Sequence, residues 1–373
     1  MTDLGVALRA AREAAGVSLA AMAARTHYSK PLLGLLETEK RTIKPEHLAA
    51  YSRVLNVPTE ILRGPPNDPL RVAHEWLVNN SPTVVQLHAG RRVGAMLAEE
   101  LETRVIELRH LDDTVGGCDL FPVVSKELSE TQGAVQSASY TENVGRRLLT
   151  VVGELAQLAG WVASDAGRHA EAQRFYLDGV SAAQGAGNRP LAAQLLSSLS
   201  YQMANAGKTH DAVLLARSAV TGAGDSSPVV RALLLERLAW ASARSRDHAC
   251  TRRALDAVDD AYEGRSPGIA EPEWVYWLDR GEIDVMAGRC LIELGSPNKA
   301  APLLARAIGS YNANHAREIA LYLSWLAEAY ARAGIIDAAQ DTLTQARKTA
   351  QGVNSIRLDV RINQVGILLP HKG

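Results

Sequence analysis

The residues of this 373-residue chain whose types and spacing best suit chemistry are cations, and they gather early. Between Ser18 and Arg41 (SLAAMAARTHYSKPLLGLLETEKR) stand Arg25, Lys30, Lys40 and Arg41, with Lys44 just beyond. Cations grouped on so short a segment suit the phosphate backbone of a nucleic acid. Phosphate contacts position a protein; reading a base edge takes Arg, Lys, Asn or Gln aimed into a groove. Lys30 is of that type, with Tyr28, Ser29 and Thr38 at the margins. Pro31, Gly34 and Leu35 share the outward side, where Leu35 can meet a thymine methyl. Lys40, Arg41 and Lys44 are placed for phosphates.

The types and spacings of a catalyst are missing. There is no GxSxG, no phosphate loop, no GxGxxG and no HExxH among the ten histidines. Asp112, Asp113 and Asp119 flank Gly116–Gly117 without the spacing of an EF-hand, and read as a solvated loop. Cys118, Cys250 and Cys290 are isolated and read as small buried hydrophobes in a reducing compartment. The expectation is a chain that is not an enzyme and uses no metal or cofactor.

Stepping from these residues to the elements that must hold them, Ser18 is an N-cap and Leu19, Met22 and Ala23 fall at helical spacing. Ser29 is a second N-cap, with Pro31 in the first turn, where its missing N–H costs nothing. Leu32, Leu33, Leu35 and Leu36 supply the apolar residues of this second helix. A helix over Asp3 to Ala14, closed by Gly16, precedes the pair. One over Pro45 to Val54 and a short turn at Pro58–Thr59 follow it. The spacing thus predicts two short helices joined by a tight turn inside a five-helix domain of about sixty residues. Up to Arg63 there are nine Lys and Arg against six Asp and Glu, an excess of three. The remainder must then carry −4 to give the chain its net −1. A mildly basic head on an acidic body fits a DNA reader.

This helix order, with Arg12 and Glu37 in place and the exit Glu-Thr-Glu-Lys-Arg before Lys44–Pro45, resembles the phage-repressor-like, or XRE, family of DNA-binding domains. The resemblance implies that Arg12 and Glu37 form an ion pair tying the first helix to the recognition helix. That family usually carries more polar residues on its recognition helix than this chain does.

Beyond the head, Gly64-Pro-Pro-Asn-Asp-Pro69 is a stiff linker. A long helix is expected from Pro82 to His110, a break over Asp112–Pro122 and a further helix over Val124 to Ser137. From Thr141 to Ala350 the chain repeats: a helix, Gly-x-x-x-x-Ala, then a helix rich in small residues. The instances start at Gly167, Gly207, Gly295 and Gly334, with Ser245 opening a degenerate one, at steps of 40, 38, 50 and 39 residues. The 50-residue step points to an insertion over Glu263 to Pro272. The pattern resembles the tetratricopeptide repeat, whose helix pairs stack into a superhelix with a concave face. Where that resemblance holds, the first helix of each pair lines the face. Counting from each glycine then places Gln157, Trp161, Gln194, Tyr201, Asn205, Glu282, Arg289 and Glu328 inward, a set of amides, charges and aromatics suited to a peptide or a small polar ligand. A solvated inner face without a ligand is the competing reading. Trp274, Tyr276 and Trp277 are expected in a helix-packing core after the long loop, the alternative being a seat for a cation or an aromatic ligand.

With RVAHEWL, GRRVGAMLAEELE, RRLLTVVGELAQLAGWVASDAGRHAEAQRFY and EWVYWLDRGEIDVMAGRC, nearly the whole chain resembles actinobacterial XRE-type transcriptional regulators with a C-terminal tetratricopeptide-repeat domain. Its layout is also similar to regulators that sense short peptides. The expected fold is all-α: a helix-turn-helix head over 1–63, a linker over 64–70, a helical connector over 71–140 and an α-solenoid over 141–373. The expected function is sequence-specific binding of double-stranded DNA by a cytoplasmic homodimer, with a peptide or small-molecule effector in the groove. The alternative is a repeat-based protein-interaction adaptor whose head does not bind DNA. No stretch is long and apolar enough to span a membrane.

Overall fold

The computed structural model describes residues 4–38, 40–55, 68–78, 91–312 and 315–369. The chain divides into two compact units, Met1–Val72 and Ala73–Gly373. Among the described residues it is all-α apart from one two-residue parallel pairing.

The first unit holds α1 (Leu4–Ala14), α2 (Leu19–Thr26), α3 (Lys30–Glu37) and α4 (Pro45–Leu55). The serines cap as their positions predict. Ser18 Oγ accepts from the Ala21 N–H at 3.1 Å and Ser29 Oγ from the Leu32 N–H at 3.3 Å. The turn between them is made by His27, whose φ of 60° puts a non-glycine residue in the left-handed region. The core is Leu8, Met22, Leu33, Leu36, Leu48, Tyr51 and Leu55. Each such aliphatic burial stabilises by about 1.5–3 kcal/mol before entropy is counted. Leu35 does not join its neighbours; it is 38% exposed. The expected turn at Pro58–Thr59 and the linker residues 64–67 lie outside the described residues, and α5 (Pro69–Val78) begins at the last linker proline.

In the second unit the pairing of β1 (Arg91–Arg92) with β2 (Ala138–Ser139) brackets α6 (Ala95–Asp112) and α7 (Gly117–Ser137). The long helix expected from Pro82 thus starts at Ala95; residues 82–90 lie outside the described residues. The break is also shorter than predicted. It spans only 113–116, and Pro122 sits inside α7 in its second turn, at the loss of one intrahelical hydrogen bond.

Five helix pairs follow: α8 (Glu142–Asp165) with α9 (His169–Ala186), α10 (Arg189–Asn205) with α11 (Thr209–Gly222), α12 (Pro228–Arg244) with α13 (His248–Glu263), α14 (Arg280–Glu293) with α15 (Pro297–Ser310), and α16 (Ala316–Arg332) with α17 (Ile336–Thr349). A last helix, α18 (Ile356–Ile367), closes the order. All five intra-pair turns use one device. A residue with positive φ ends the first helix, and the next N–H bonds back to a carbonyl five residues earlier, as in Arg168 N to Ala163 O at 2.8 Å and Ile335 N to Tyr330 O at 2.9 Å. Glycine fills that position four times. In the third pair it is Arg246, φ 61°, with Asp247 N bonding Ser242 O at 2.9 Å. The repeat therefore registers on Arg246, not Ser245, and its small buried partner five places on is Thr251, not Cys250. The insertion occupies 264–279, with one 3-10 turn at Glu273–Val275. Within the first pair, Gly160 lets the Tyr176 ring lie flat on α8; a Cβ there would come within 2.5 Å of it.

The stack returns to its own beginning. Asp165 at the end of α8 accepts from the Gly117 N–H at 3.2 Å and from Ser355 Oγ at 3.0 Å. Arg317 on α16 reaches Asp112 on α6 at 3.3 Å, and Asn354 Nδ2 donates to Asp119 at 3.0 Å. The three aspartates read as a solvated loop are tied into the fold: Asp112 to Arg317, Asp119 to Asn354, and Asp113 to the Tyr276 hydroxyl at 2.7 Å. No described helix is long and apolar enough to cross a membrane.

Candidate functional site

In the first unit the candidate site is the surface around the start of α3. Arg25, Ser29, Lys30, Pro31, Leu35, Thr38, Lys40, Arg41 and Lys44 are all exposed there. Tyr28 is half-buried, with its ring edge-on to His47 at 5.2 Å. Gly34 is half-buried too, with Leu19 behind it. The Thr38 hydroxyl is turned back to the Gly34 carbonyl at 2.7 Å, so it caps α3 in this state. The Lys44 ammonium has a carboxylate, Glu46, at 3.9 Å, and both side chains are solvated, an arrangement worth little energy.

A buried network holds this surface in shape. Arg12 Nε and Nη2 donate to the two oxygens of Glu37 at 2.7 Å each. Arg12 Nη1 donates to the Val17 carbonyl at 2.9 Å, and the Tyr51 hydroxyl donates to Glu37 at 2.8 Å. Four elements, α1, α3, α4 and the α1–α2 turn, are thereby locked together. The Glu37 hydrogen bond holds the Arg12 guanidinium above its usual value. Burial, then the bond to Glu37, lifts the Tyr51 phenol. Arg12 and Glu37 are buried and act by positioning α3.

In the second unit the first helices of the five pairs surround a cavity of about 460 Å³. Of the inward set read from sequence, Gln157, Trp161, Gln194, Tyr201, Glu282 and Arg289 line it; Asn205 and Glu328 do not. Asn205 accepts from the Trp240 indole N–H at 3.0 Å. Glu328 is buried between Arg332 and Arg361 and is spent on them. Trp274 is buried in the core as expected and also borders the cavity, which Tyr276 and Trp277 line beside it.

An aromatic row runs from the lining residues Trp161 and Tyr201 into the core behind them, where Trp240 and Trp325 lie. Trp161 stacks on Tyr201 at 6.0 Å, Tyr201 tilts toward Trp240 at 6.5 Å, and Trp240 meets Trp325 edge-on at 5.6 Å. Guanidiniums lie over it. Arg289 is 4.2 Å from the Trp240 centroid and 4.7 Å from that of Trp325, and Arg237 is 4.4 Å from that of Tyr201. Such contacts are each worth about 2 kcal/mol when desolvated. Burial would raise the Tyr201 phenol, but the charges of Arg289, Arg357 and Arg237 outweigh it and bring the pKa down to about 7. Burial lifts the Glu236 carboxyl to about 7 against the pull of Arg237. Burial also raises Glu282, although Tyr311 and Tyr322 donate to it.

Several lining residues escaped the sequence reading. Glu236 follows once the third repeat is registered on Arg246, ten residues before it as Gln157 is before Gly167, while Arg237 is one place further on. Arg109, Arg317, Glu318 and Arg357 arrive from α6, α16 and α18 through the closure of the stack, and no local signal marks them. Among the described residues no group of three His, Cys, Asp or Glu could hold a metal ion.

A family model described as a helix-turn-helix domain matches residues 3–63. No curated protein matches the chain. Among solved structures, the apo form of the competence regulator ComR from Streptococcus vestibularis is similar to it at 11% identity, over 94% of this chain and 99% of that one, with a TM-score of 0.34.

Proposed function

We propose that the chain is a DNA-binding transcriptional regulator whose repeat unit senses a ligand. The observation that carries the reading is the first unit itself. A helix-turn-helix domain, matched over residues 3–63, fixes α3 through the Arg12–Glu37–Tyr51 network and leaves Arg25, Lys30, Lys40, Arg41 and Lys44 exposed around it. In this reading Lys30, with Tyr28, Ser29, Pro31, Gly34, Leu35 and Thr38, meets the major groove, and Arg25, Lys40, Arg41 and Lys44 meet phosphates. One head is a small reader, so two act on paired half-sites through a homodimer.

Gel shifts against the DNA upstream of its own gene test this. Wild-type binding is expected to weaken steeply with salt. Lys40→Ala with Arg41→Ala should weaken it across all sequences and lower the salt slope by about 2, one per lost phosphate contact. Lys30→Ala should instead blunt preference at a single base position. Binding of no duplex at any salt would leave the chain as a repeat-based adaptor.

A further inference from the structure

The cavity has two poles of opposite charge, and they are set apart along one helix. At the first pole Arg237, Arg289 and Arg357 converge on Tyr201 and Trp161. Arg289 Nη2 donates to the Tyr201 hydroxyl at 3.0 Å, Arg237 lies over the Tyr201 ring, and Arg357 lies 5.3 Å over Trp161. None of the three is hydrogen-bonded to a carboxylate among the described residues. The nearest acids are Glu236, 3.8 Å from Arg237, and Asp165, 3.9 Å from Arg357. Arg289 is 5% exposed, and its Nε is buried with no partner. A guanidinium presents five donors in a planar fork, and buried donors left unmet are costly. The depressed Tyr201 phenol reports the same uncompensated positive potential.

The second pole lies toward the start of α14 and α16. Glu282 is seven residues before Arg289 on α14. Two helical turns bring both to one face, about 10 Å apart along the axis. Glu282 accepts from Tyr311 and Tyr322, which orient it without neutralising it. On α16, Glu318 accepts from Arg317 with one oxygen at 2.9 Å, and its other oxygen is buried and unpartnered. Arg317 is already engaged by Asp112. Acid is therefore in excess here, as base is at the other pole. Over the whole lining five arginines face six carboxylates. That near balance suits a ligand with both charges better than a plain anion.

We propose that the cavity takes a zwitterion whose anionic group and ammonium are about 10 Å apart, the length of an extended tripeptide. The anion sits among Arg237, Arg289 and Arg357, and the ammonium between Glu282 and Glu318. Val285 and Met286, which line the cavity between Glu282 and Arg289 on α14, meet the apolar middle. This deepens the ligand-sensing reading above by naming the ligand's chemical class, and its test reads binding alone, so that loss of DNA binding would not touch it.

The probe is a pooled tripeptide library with both termini free, set beside the same pool acetylated at the amine and the same pool amidated at the carboxyl. The readouts are thermal stabilisation of the full chain and native mass spectrometry of what is retained. The free pool is expected to stabilise and to leave retained tripeptides; each blocked pool should bind at least about thirtyfold more weakly, since each leaves one buried charge unmet. Arg289→Met should remove the penalty for amidation, and Glu282→Gln the penalty for acetylation, each leaving the other penalty in place. Should Arg289→Met not fold, the more exposed Arg357→Gln tests the same pole. Equal stabilisation by free and blocked pools, or none by any pool, overturns the proposal. Binding of the free pool with unchanged DNA affinity would uphold it and overturn the sensing role instead.

Discussion

Arg12 beside Glu37 in the first unit, and Arg237 beside Glu236 in the second, are both buried arginine–glutamate neighbours, yet they are built to opposite ends. The first pair meets from two helices in a fork of two 2.7 Å bonds, with Tyr51 and the Val17 carbonyl taking up what remains. The second pair is adjacent on one helix, where consecutive side chains point apart. Its closest approach is 3.8 Å, without a hydrogen bond, and one Glu236 oxygen has no partner. A charge whose hydrogen bonds are complete stabilises the fold it sits in. A charge left incomplete weakens that fold, and it persists at a site where a ligand can complete it.

The sharpest way to break this contrast is to remove each arginine. Arg12→Ala leaves Glu37 buried and uncompensated, and should cost the first unit about 3–5 kcal/mol. Hydrogen exchange across α1–α4 would show it as loss of the slowest amides. Arg237→Met, by contrast, should cost the second unit no more than about 2 kcal/mol, the worth of the cation–π contact it loses, read as a small shift of the urea midpoint. Equal losses from both would end the comparison.

Protons offer a finer test. The Glu236 carboxyl rises from 4.5 to about 7 on folding. The stability it contributes is full below pH 4.5 and is lost as pH climbs through 7. The Tyr201 phenol falls from 10.0 to about 7, so its contribution is full above pH 10 and is lost as pH drops through 7. Together they predict a shallow stability minimum near neutrality in the empty protein, read as melting temperature against pH. Glu236→Gln should flatten the acid limb and Tyr201→Phe the alkaline limb.

The smallest effect expected lies in the third repeat. Arg246 holds φ at 61° where the other four turns have glycine. Arg246→Gly should relieve left-handed strain and stabilise by at most about 1 kcal/mol, since glycine returns part of the gain as unfolded-chain entropy. A loss instead would mean that the Arg246 side chain makes a contact worth more than the strain.

Much of the fold was legible because it obeys short-range rules. The caps at Ser18 and Ser29 and the four turn glycines follow from residue type and spacing, and the pairing of Arg12 with Glu37 from the family resemblance. So does the inward face: six residues from each turn come Trp161, Tyr201, Trp240, Arg289 and Glu328. Registering the degenerate repeat on Ser245 hid Trp240 and Glu236, because a one-residue slip turns a helix by about 100°. Glu328 shows the limit of the same rule. It holds the inward repeat position, but Arg361 from the last helix covers it. Trp274, Tyr276 and Trp277 carry aromatic content that composition assigns to a core, and only the path of the insertion puts them against a cavity.

The amino-acid order alone set the helices, their caps and turns, and the repeated inward positions, since each depends on neighbours a few residues away. Tertiary structure decided where the stack meets its own start, bringing Asp112 to Arg317 across 205 residues and Asp165 to Ser355 across 190. That meeting depends on small rotations summed over five helix pairs, a quantity no local pattern encodes. It also decided which charges in the cavity are left without partners, because a side chain's hydrogen bonds are completed or denied by groups far off in the chain.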